Sequence, residues 1–288
     1  MLLTADLGFM ALEPFIERFP ERFFNVGVAE QNMVGVATGL ADAGFVPFVY
    51  SIAPFATLRP YEFIRNGPLL HGLPVRIVGM GGGVEYGING ISHFALEDVA
   101  VMRAQPSMTV IAPADHQQAR SALLATASVE GPIYFRLGKD DNAIVRGLEG
   151  AFRLGGLERI REGRDAAFVA MGPVASEALA AAELLAAQGL DCAVAVVASV
   201  SPPPSEELAV LISDRPLVVT VESHYINGGL GSLVAETIAD RGLGTRVIRR
   251  GAAFMPGEMS GSQRYLERSF GLAADQLADV VVQALAAR

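Results

Sequence analysis

Two segments of the 288-residue sequence hold residue types that could do chemistry at close spacing. The first is Gly27-Val28-Ala29-Glu30-Gln31-Asn32-Met33, in which Glu30 opens a helical pattern whose next turns, Val34 to Leu40, are small and apolar. A carboxylate at a helix start is favoured by the helix dipole, so position alone explains it as a first-turn acid. In a dry site the same group could hold a proton for transfer, because burial favours the neutral carboxyl. The second is Gly79-Met80-Gly81-Gly82-Gly83-Val84-Glu85-Tyr86-Gly87-Ile88-Asn89-Gly90-Ile91-Ser92-His93. No helix follows its three glycines directly and no lysine makes it a P-loop, so neither common phosphate-binding fingerprint applies. A long irregular stretch of this kind tends to be functional. His93 at its end is suited to shuttle a proton or to donate to a developing oxyanion, although a histidine before a helix is often only a surface residue.

These residues need a scaffold, and the apolar pattern supplies one. Short runs rich in Val, Ile and Phe, bounded by Gly or Pro and followed by helical patterns, read as buried parallel strands. Phe45 to Tyr50, Val75 to Met80, Met108 to Ala112 and Pro132 to Leu137 are such runs. Glu30 to Ala43, Pro60 to Leu70, Leu96 to Gln105 and Asp115 to Ser128 read as helices, the last capped by Asp115. From Gly138 to Gly163 the apolar segments become short and broken. The alternation then resumes with strands at Ala166 to Met171, Cys192 to Ala198 and Pro216 to Glu222, and a helix at Ser176 to Gln188. Gly189 stands where a helix end wants positive φ. The expected fold is α/β in two domains, residues 1–145 and 164–288, joined by a linker over 146–163. In open sheets of this class the loops at the carboxyl edge of the strands form the crevice that holds ligands.

Composition removes several classes. The chain is 51% hydrophobic with mean hydropathy +0.37, yet no clean apolar span of roughly 20 residues suggests a bilayer crossing. Its greasiest stretch, Phe168 to Val200, is broken by Glu177, Glu183, Gln188 and Asp191. No secretory pattern opens the sequence, so a cytoplasmic protein is expected. A net charge of -9 without a Lys/Arg cluster argues against nucleic acid as a partner. The single cysteine, Cys192, excludes an internal disulfide and has no neighbours for a metal site.

Taken in order, the segments resemble the carboxyl-terminal half of transketolase, most closely the separate second subunit of split transketolases. The resemblance is carried by Arg22 to Met33, by Phe55-Ala56-Thr57 and Ile64-Arg65-Asn66, and by Gly90 to Arg103 with Pro106 to Val110. Val219 to His224 and Gly228 to Ser232 carry it in the second half. It implies a pyrimidine-binding domain followed by the family's carboxyl-terminal domain, with thiamine diphosphate as cofactor. The glutamate matching Glu30 hydrogen-bonds the aminopyrimidine and promotes the tautomer that deprotonates the thiazolium; Phe55 matches the aromatic stacked on that ring. Asp6 and Leu7 match a pair near the thiazolium, and His93 matches a histidine that binds substrate hydroxyls. His224 has a weaker claim to a role. The segment that holds the diphosphate through Mg2+ or another divalent metal is not found in these residues. The resemblance therefore implies a partner subunit that supplies it, in an α2β2 assembly with a contact between the two β-type chains.

The pocket departs from the family pattern at four places. A histidine twelve residues before His93 is here Gly81, and a Glu-Asp pair is Ile88-Asn89. A phosphate-gripping arginine aligns with Lys139, and a serine-bearing stretch is Gly8 to Leu12. Lysine lacks the bidentate fork of arginine. A substrate other than the usual sugar phosphate is expected, less polar or bearing a different anion. Two other activities fit the same motifs: a decarboxylating subunit like deoxyxylulose phosphate synthase or a 2-oxoacid dehydrogenase, and a scaffold without catalysis.

Overall fold

The computed structural model describes every residue except Asp141 and Arg288. Strands β1 (Leu2–Thr4), β2 (Phe23–Asn25), β3 (Phe48–Ile52), β4 (Arg76–Met80), β5 (Thr109–Ile111) and β6 (Ile133–Leu137) come from the first half. The second half supplies β7 (Glu158–Arg161), β8 (Ala166–Met171), β9 (Cys192–Val196), β10 (Ser199–Ser201), β11 (Leu217–Tyr225) and β12 (Arg246–Ala252). They form a seven-stranded sheet ordered β10-β5-β6-β4-β3-β1-β2 and a five-stranded sheet ordered β12-β11-β8-β9-β7. All pairings are parallel except those of the edge strands β10 with β5 and β7 with β9. Helices cover the sheets, which is why central strands such as β8, buried at every residue, are continuous apolar runs.

Register sets the position of the chemistry. Ile52, Met80 and Leu137 are aligned Cα partners at the carboxyl ends of β3, β4 and β6. The Ala53–Thr57 helix bearing Phe55 and the loops bearing Gly81 to His93 and Lys139 therefore leave the sheet along one edge. Thr4, Asn25 and Tyr50 are aligned likewise, so the Asp6 and Gly27 turns share that edge.

Several elements are shorter than the apolar pattern suggests, for local reasons. β3 starts after Pro47, and Phe45 and Val46 remain exposed. The Pro60 to Leu70 segment is a helix only over Tyr61–Ile64 and then a π-helical turn over Arg65–Leu69, since Pro68 has no N–H to continue the ladder. The helix expected from Leu96 starts at Asp98, because Ala95 is pinned to Gly83 by paired backbone hydrogen bonds of 2.8 and 3.0 Å. The His116–Ala125 helix is capped by Asp115, whose Oδ1 accepts from the Gln118 N–H at 2.8 Å. Gly189 has φ +83° after the Ala175–Ala186 helix. Within the stretch read as linker, Glu158–Arg161 forms β7.

The two halves interlock more than their separate patterns suggest. β10 comes from the second half but completes the edge of the first sheet. No helix of the described residues is long and apolar enough to cross a membrane.

Candidate active site

The Glu30–Asp42 helix buries Glu30, Met33, Val34, Ala37 and Ala41, one stripe at helical spacing. The apolar face that docks the helix thus also carries the Glu30 carboxylate inward, leaving it 3% exposed. Its Oε1 accepts from Arg59 Nη1 at 2.7 Å and from Ser51 Oγ at 3.4 Å. The Arg59 guanidinium also lies 3.8 Å from the centroid of the Phe55 ring. A cavity of about 750 Å³ opens here, lined by Arg59 and residues 28–32. Sequence reasoning missed Arg59, although it follows Phe55 by four residues, a spacing that places side chains on one helical face.

The turn before Glu30 is shaped by Asn25. Its Oδ1 accepts from the Asp6 N–H at 3.1 Å and the Gly27 N–H at 3.0 Å, while its Nδ2 donates to Asp6 Oδ1 at 2.8 Å. Asp6 is exposed with φ +58°, and the Leu7 carbonyl accepts from Thr4 Oγ1 at 2.8 Å. Both residues therefore stand at the same sheet edge as Glu30.

From Phe55 a run of rings leads away. His93 meets Phe55 edge-on at 5.1 Å between centroids, and Tyr86 lies 6.1 Å beyond His93. The Lys139 ammonium stands 4.0 Å from the Tyr86 centroid. His93 is half-buried with Nδ1 3.0 Å from Ser92 Oγ. Asn89 is exposed in the turn between Tyr86 and His93.

The glycine triplet is explained by packing. A Cβ on Gly81 would meet the Tyr86 ring at 2.2 Å, on Gly82 the Arg136 side chain at 2.7 Å, and on Gly83 the Ser223 side chain at 2.3 Å. Gly81 is itself buried, so the space a larger side chain would take there belongs to Tyr86. No sequence signal reveals this, since a loop has no period from which to infer that Tyr86 folds back.

Behind the edge, a buried polar joint fastens the halves together. Asp98 Oδ2 accepts from Arg136 Nε at 2.8 Å and from Tyr134 Oη at 2.6 Å. Arg136 Nη2 donates to the carbonyls of Ala95 and Ser223 at 2.8 and 2.9 Å. His224 is fully buried, and burial depresses its pKa to about 4. Its Nε2 accepts the Ala100 N–H at 3.3 Å, which assigns the proton to Nδ1, 2.6 Å from the Tyr225 carbonyl. His224 is a neutral structural link between the halves. Glu222 caps the Leu230–Arg241 helix, accepting from the Leu230 and Gly231 N–H groups at 2.7 Å each, and burial pushes it up to about 7. Burial likewise pushes Glu85 up to about 7, against the pull of the Lys139 backbone N–H it accepts at 2.5 Å. Among the described residues no three His, Cys, Asp or Glu side chains gather to hold a metal ion.

The fold is a two-domain α/β chain whose mostly parallel sheets are flanked by helices. The family model described as "Transketolase, pyrimidine binding domain" matches residues 3–143, and "Transketolase, C-terminal domain" matches 155–277. This chain belongs to the transketolase family. It is 38% identical over 98% of its length to a "putative transketolase C-terminal section" of Methanocaldococcus jannaschii, spanning 89% of that protein. It is 34% identical over 94% of its length to a subunit of the apulose-4-phosphate transketolase of Actinobacillus succinogenes, spanning 87% of that subunit. A 1-deoxy-D-xylulose-5-phosphate synthase of Syntrophotalea carbinolica is 35% identical over 96% of this chain, which spans 44% of that enzyme. Among solved structures, a split-gene transketolase described as an inactive β4 tetramer superposes with TM-score 0.88 at 37% identity, covering 99% of this chain and 91% of that one.

Proposed function

We propose that this chain is the subunit of a thiamine diphosphate-dependent transketolase that supplies the aminopyrimidine side of the cofactor site. The observation that carries this reading is the juxtaposition of the buried Glu30 with Phe55. A flat, nitrogen-bearing group, the Arg59 guanidinium, already lies on the Phe55 ring and hydrogen-bonds Glu30. Those two contacts are the ones the family resemblance assigns to the aminopyrimidine, so these residues fit that ring once Arg59 swings aside. When bound, the cofactor supplies the carbanion chemistry. The residues of this chain bind and orient: Phe55 stacks, Glu30 holds or releases a proton at the ring nitrogen, and Asp6 and Leu7 border the thiazolium side. His93 donates to the substrate oxygen on which charge develops, with Asn89, the Gly81 backbone and Lys139 farther along the same run.

The reaction proposed is two-carbon ketol transfer. The C2–C3 bond of a ketose breaks, an aldose two carbons shorter leaves, and the ketol unit joins an aldehyde whose oxygen takes up a proton. The diphosphate and its Mg2+ or equivalent ion are assigned to a partner subunit in a cytoplasmic α2β2 assembly with a β–β contact. Residues 1–145 are assigned to the pyrimidine domain and 164–288 to the carboxyl-terminal domain. The substrate is proposed to lack the usual phosphate ester, since the Lys139 ammonium stands on the Tyr86 ring and the Glu85 carboxyl bonds the lysine's backbone N–H. Similarity to deoxyxylulose phosphate synthase supports a second reading, decarboxylation of pyruvate before transfer.

The test is reconstitution with a diphosphate-binding partner, thiamine diphosphate and Mg2+, assayed with ketose plus aldehyde and separately with pyruvate. Ketol transfer that Glu30→Gln abolishes without disrupting assembly is the expected result. Release of carbon dioxide from pyruvate overturns it in favour of the second reading, and full activity of Glu30→Gln overturns the site.

A further inference from the structure

A second cavity, of about 770 Å³, lies where the carboxyl ends of β4, β5 and β6 face the loop after β8. It is not the opening beside Glu30, but the two are linked. Lys139, the last member of the run from Arg59 through Phe55, His93 and Tyr86, forms part of its wall. The wall is otherwise largely apolar, with Met80, Leu123, Leu137 and Val174 prominent.

Charge decides what can enter. Glu85, Glu177 and Glu267 line the cavity from its inner side. Glu85 accepts the Lys139 backbone N–H, placing a carboxylate beside the lysine that would have to grip an anion. Glu267 accepts from Gln263 Nε2 at 3.0 Å, and burial raises its pKa. The cation Arg120 is exposed at the opposite wall, on the His116–Ala125 helix. Arg136, the nearest buried cation, is already neutralised by Asp98. A phosphate dianion placed here would lose its water and meet Glu85, Asp115, Asp140, Glu177 and Glu267 against only Lys139, whose ammonium stands on the Tyr86 ring, and the exposed Arg120, an arrangement that costs more than it returns. An alkyl group gains free energy from every methylene it buries against the apolar wall.

We infer that this cavity receives the distal end of the acceptor, and that the acceptor is an aldehyde with an apolar tail in place of a phosphate ester. This rests on the transketolase reading. The aldehyde carbon faces the His93 end, the chain passes the Tyr86–Lys139 pair, and the tail lies on Met80, Leu123, Leu137 and Val174.

The experiment uses the chain reconstituted with its diphosphate-binding partner and a series of straight-chain aldehydes from glycolaldehyde and propanal to octanal, with glyceraldehyde 3-phosphate alongside. The value of kcat/KM is expected to rise roughly threefold to fourfold per added methylene until the cavity is filled. It is expected to be higher for octanal than for the phosphate ester. Ala119→Phe, which projects a ring into the cavity, should lower kcat/KM for octanal at least tenfold more than for glycolaldehyde. Transfer to glycolaldehyde with no gain along the series, or a preference for the phosphate ester, overturns the cavity assignment and leaves the transketolase reading standing. Absence of transfer to every aldehyde overturns that reading and this inference with it. The wild-type series decides the matter even where Ala119→Phe fails to fold.

Discussion

The Arg59 guanidinium is hydrogen-bonded to Glu30 at 2.7 Å while lying 3.8 Å from the centre of the Phe55 ring. One side chain therefore joins the carboxylate and the aromatic that the proposed cofactor needs free. The Arg59 side chain is half-exposed and stands on the turn after the Ala53–Thr57 helix, so it can swing away without unfolding that helix.

Its departure has a cost that a titration can read. The arginine end of the pair is half-exposed and the carboxylate end buried, so the ion pair contributes about 0.5–1 kcal/mol and the cation–π contact about 0.5 kcal/mol, and releasing both costs about 1 kcal/mol. Arg59→Ala should tighten thiamine diphosphate binding by the assembled enzyme roughly fivefold, measured by isothermal titration calorimetry. A weaker or unchanged affinity would show that Arg59 does not compete for the site.

Glu85 gives a pH-dependent signature. Its folded pKa is raised to about 7 from 4.5, so between those values the folded chain holds a proton that the unfolded chain releases. Stability from this group is fully present below the unfolded pKa and declines as pH rises through about 7. Glu85→Gln keeps an acceptor for the Lys139 N–H but removes the charge. In urea unfolding the variant should gain on the wild type by about 2 kcal/mol between pH 5 and pH 8, a figure discounted for partial exposure. A difference that is flat with pH would mean that Glu85 titrates normally.

The Asp98–Arg136 pair predicts a different response. Both side chains are buried, and Tyr134 donates to the same carboxylate oxygen. Asp98→Ala leaves an unpaired guanidinium in the interior and should cost about 3–5 kcal/mol. Adding Arg136→Met should recover part of that loss, because the unpaired charge goes with it. Urea unfolding of the single and double variants provides the measurement, and strictly additive losses would rule out the coupling.

How far sequence could lead differs from residue to residue. The runs that became β4, β6 and β8 were readable because strands buried on both faces leave no polar alternation. Glu30 was readable as chemistry only through its company of motifs, yet its inward orientation follows from the same stripe as Met33, Val34 and Ala37. Arg59 was within reach of helical spacing from Phe55. Tyr86 over Gly81, and β10 joining the other domain's sheet, were not. Each depends on where a loop or a short polar strand returns in space, and no local period records that. The aligned carboxyl ends of β3, β4 and β6 then convert residues far apart in sequence into one edge.

The glycine triplet permits a sharper test of that close return. Gly83 has φ +64°, and a Cβ there would lie 2.3 Å from Ser223 Oγ and 2.6 Å from the Ser223 carbonyl oxygen. The serine can rotate, but the carbonyl oxygen accepts from Arg136 and cannot retreat without breaking the joint between the halves. Gly90 has φ +76° with nothing within 4 Å of the corresponding position. Both alanine variants carry the backbone strain of positive φ, about 1 kcal/mol, but only Gly83→Ala adds a steric term of about 1–3 kcal/mol. Gly83→Ala should therefore lower the midpoint of urea unfolding clearly more than Gly90→Ala. It should also hasten hydrogen exchange at the Gly83 and Ala95 amides, whose mutual bonds hold the loop. Equal losses in the two variants would mean that the glycines serve turn geometry alone and that the close approach to Ser223 has no energetic consequence.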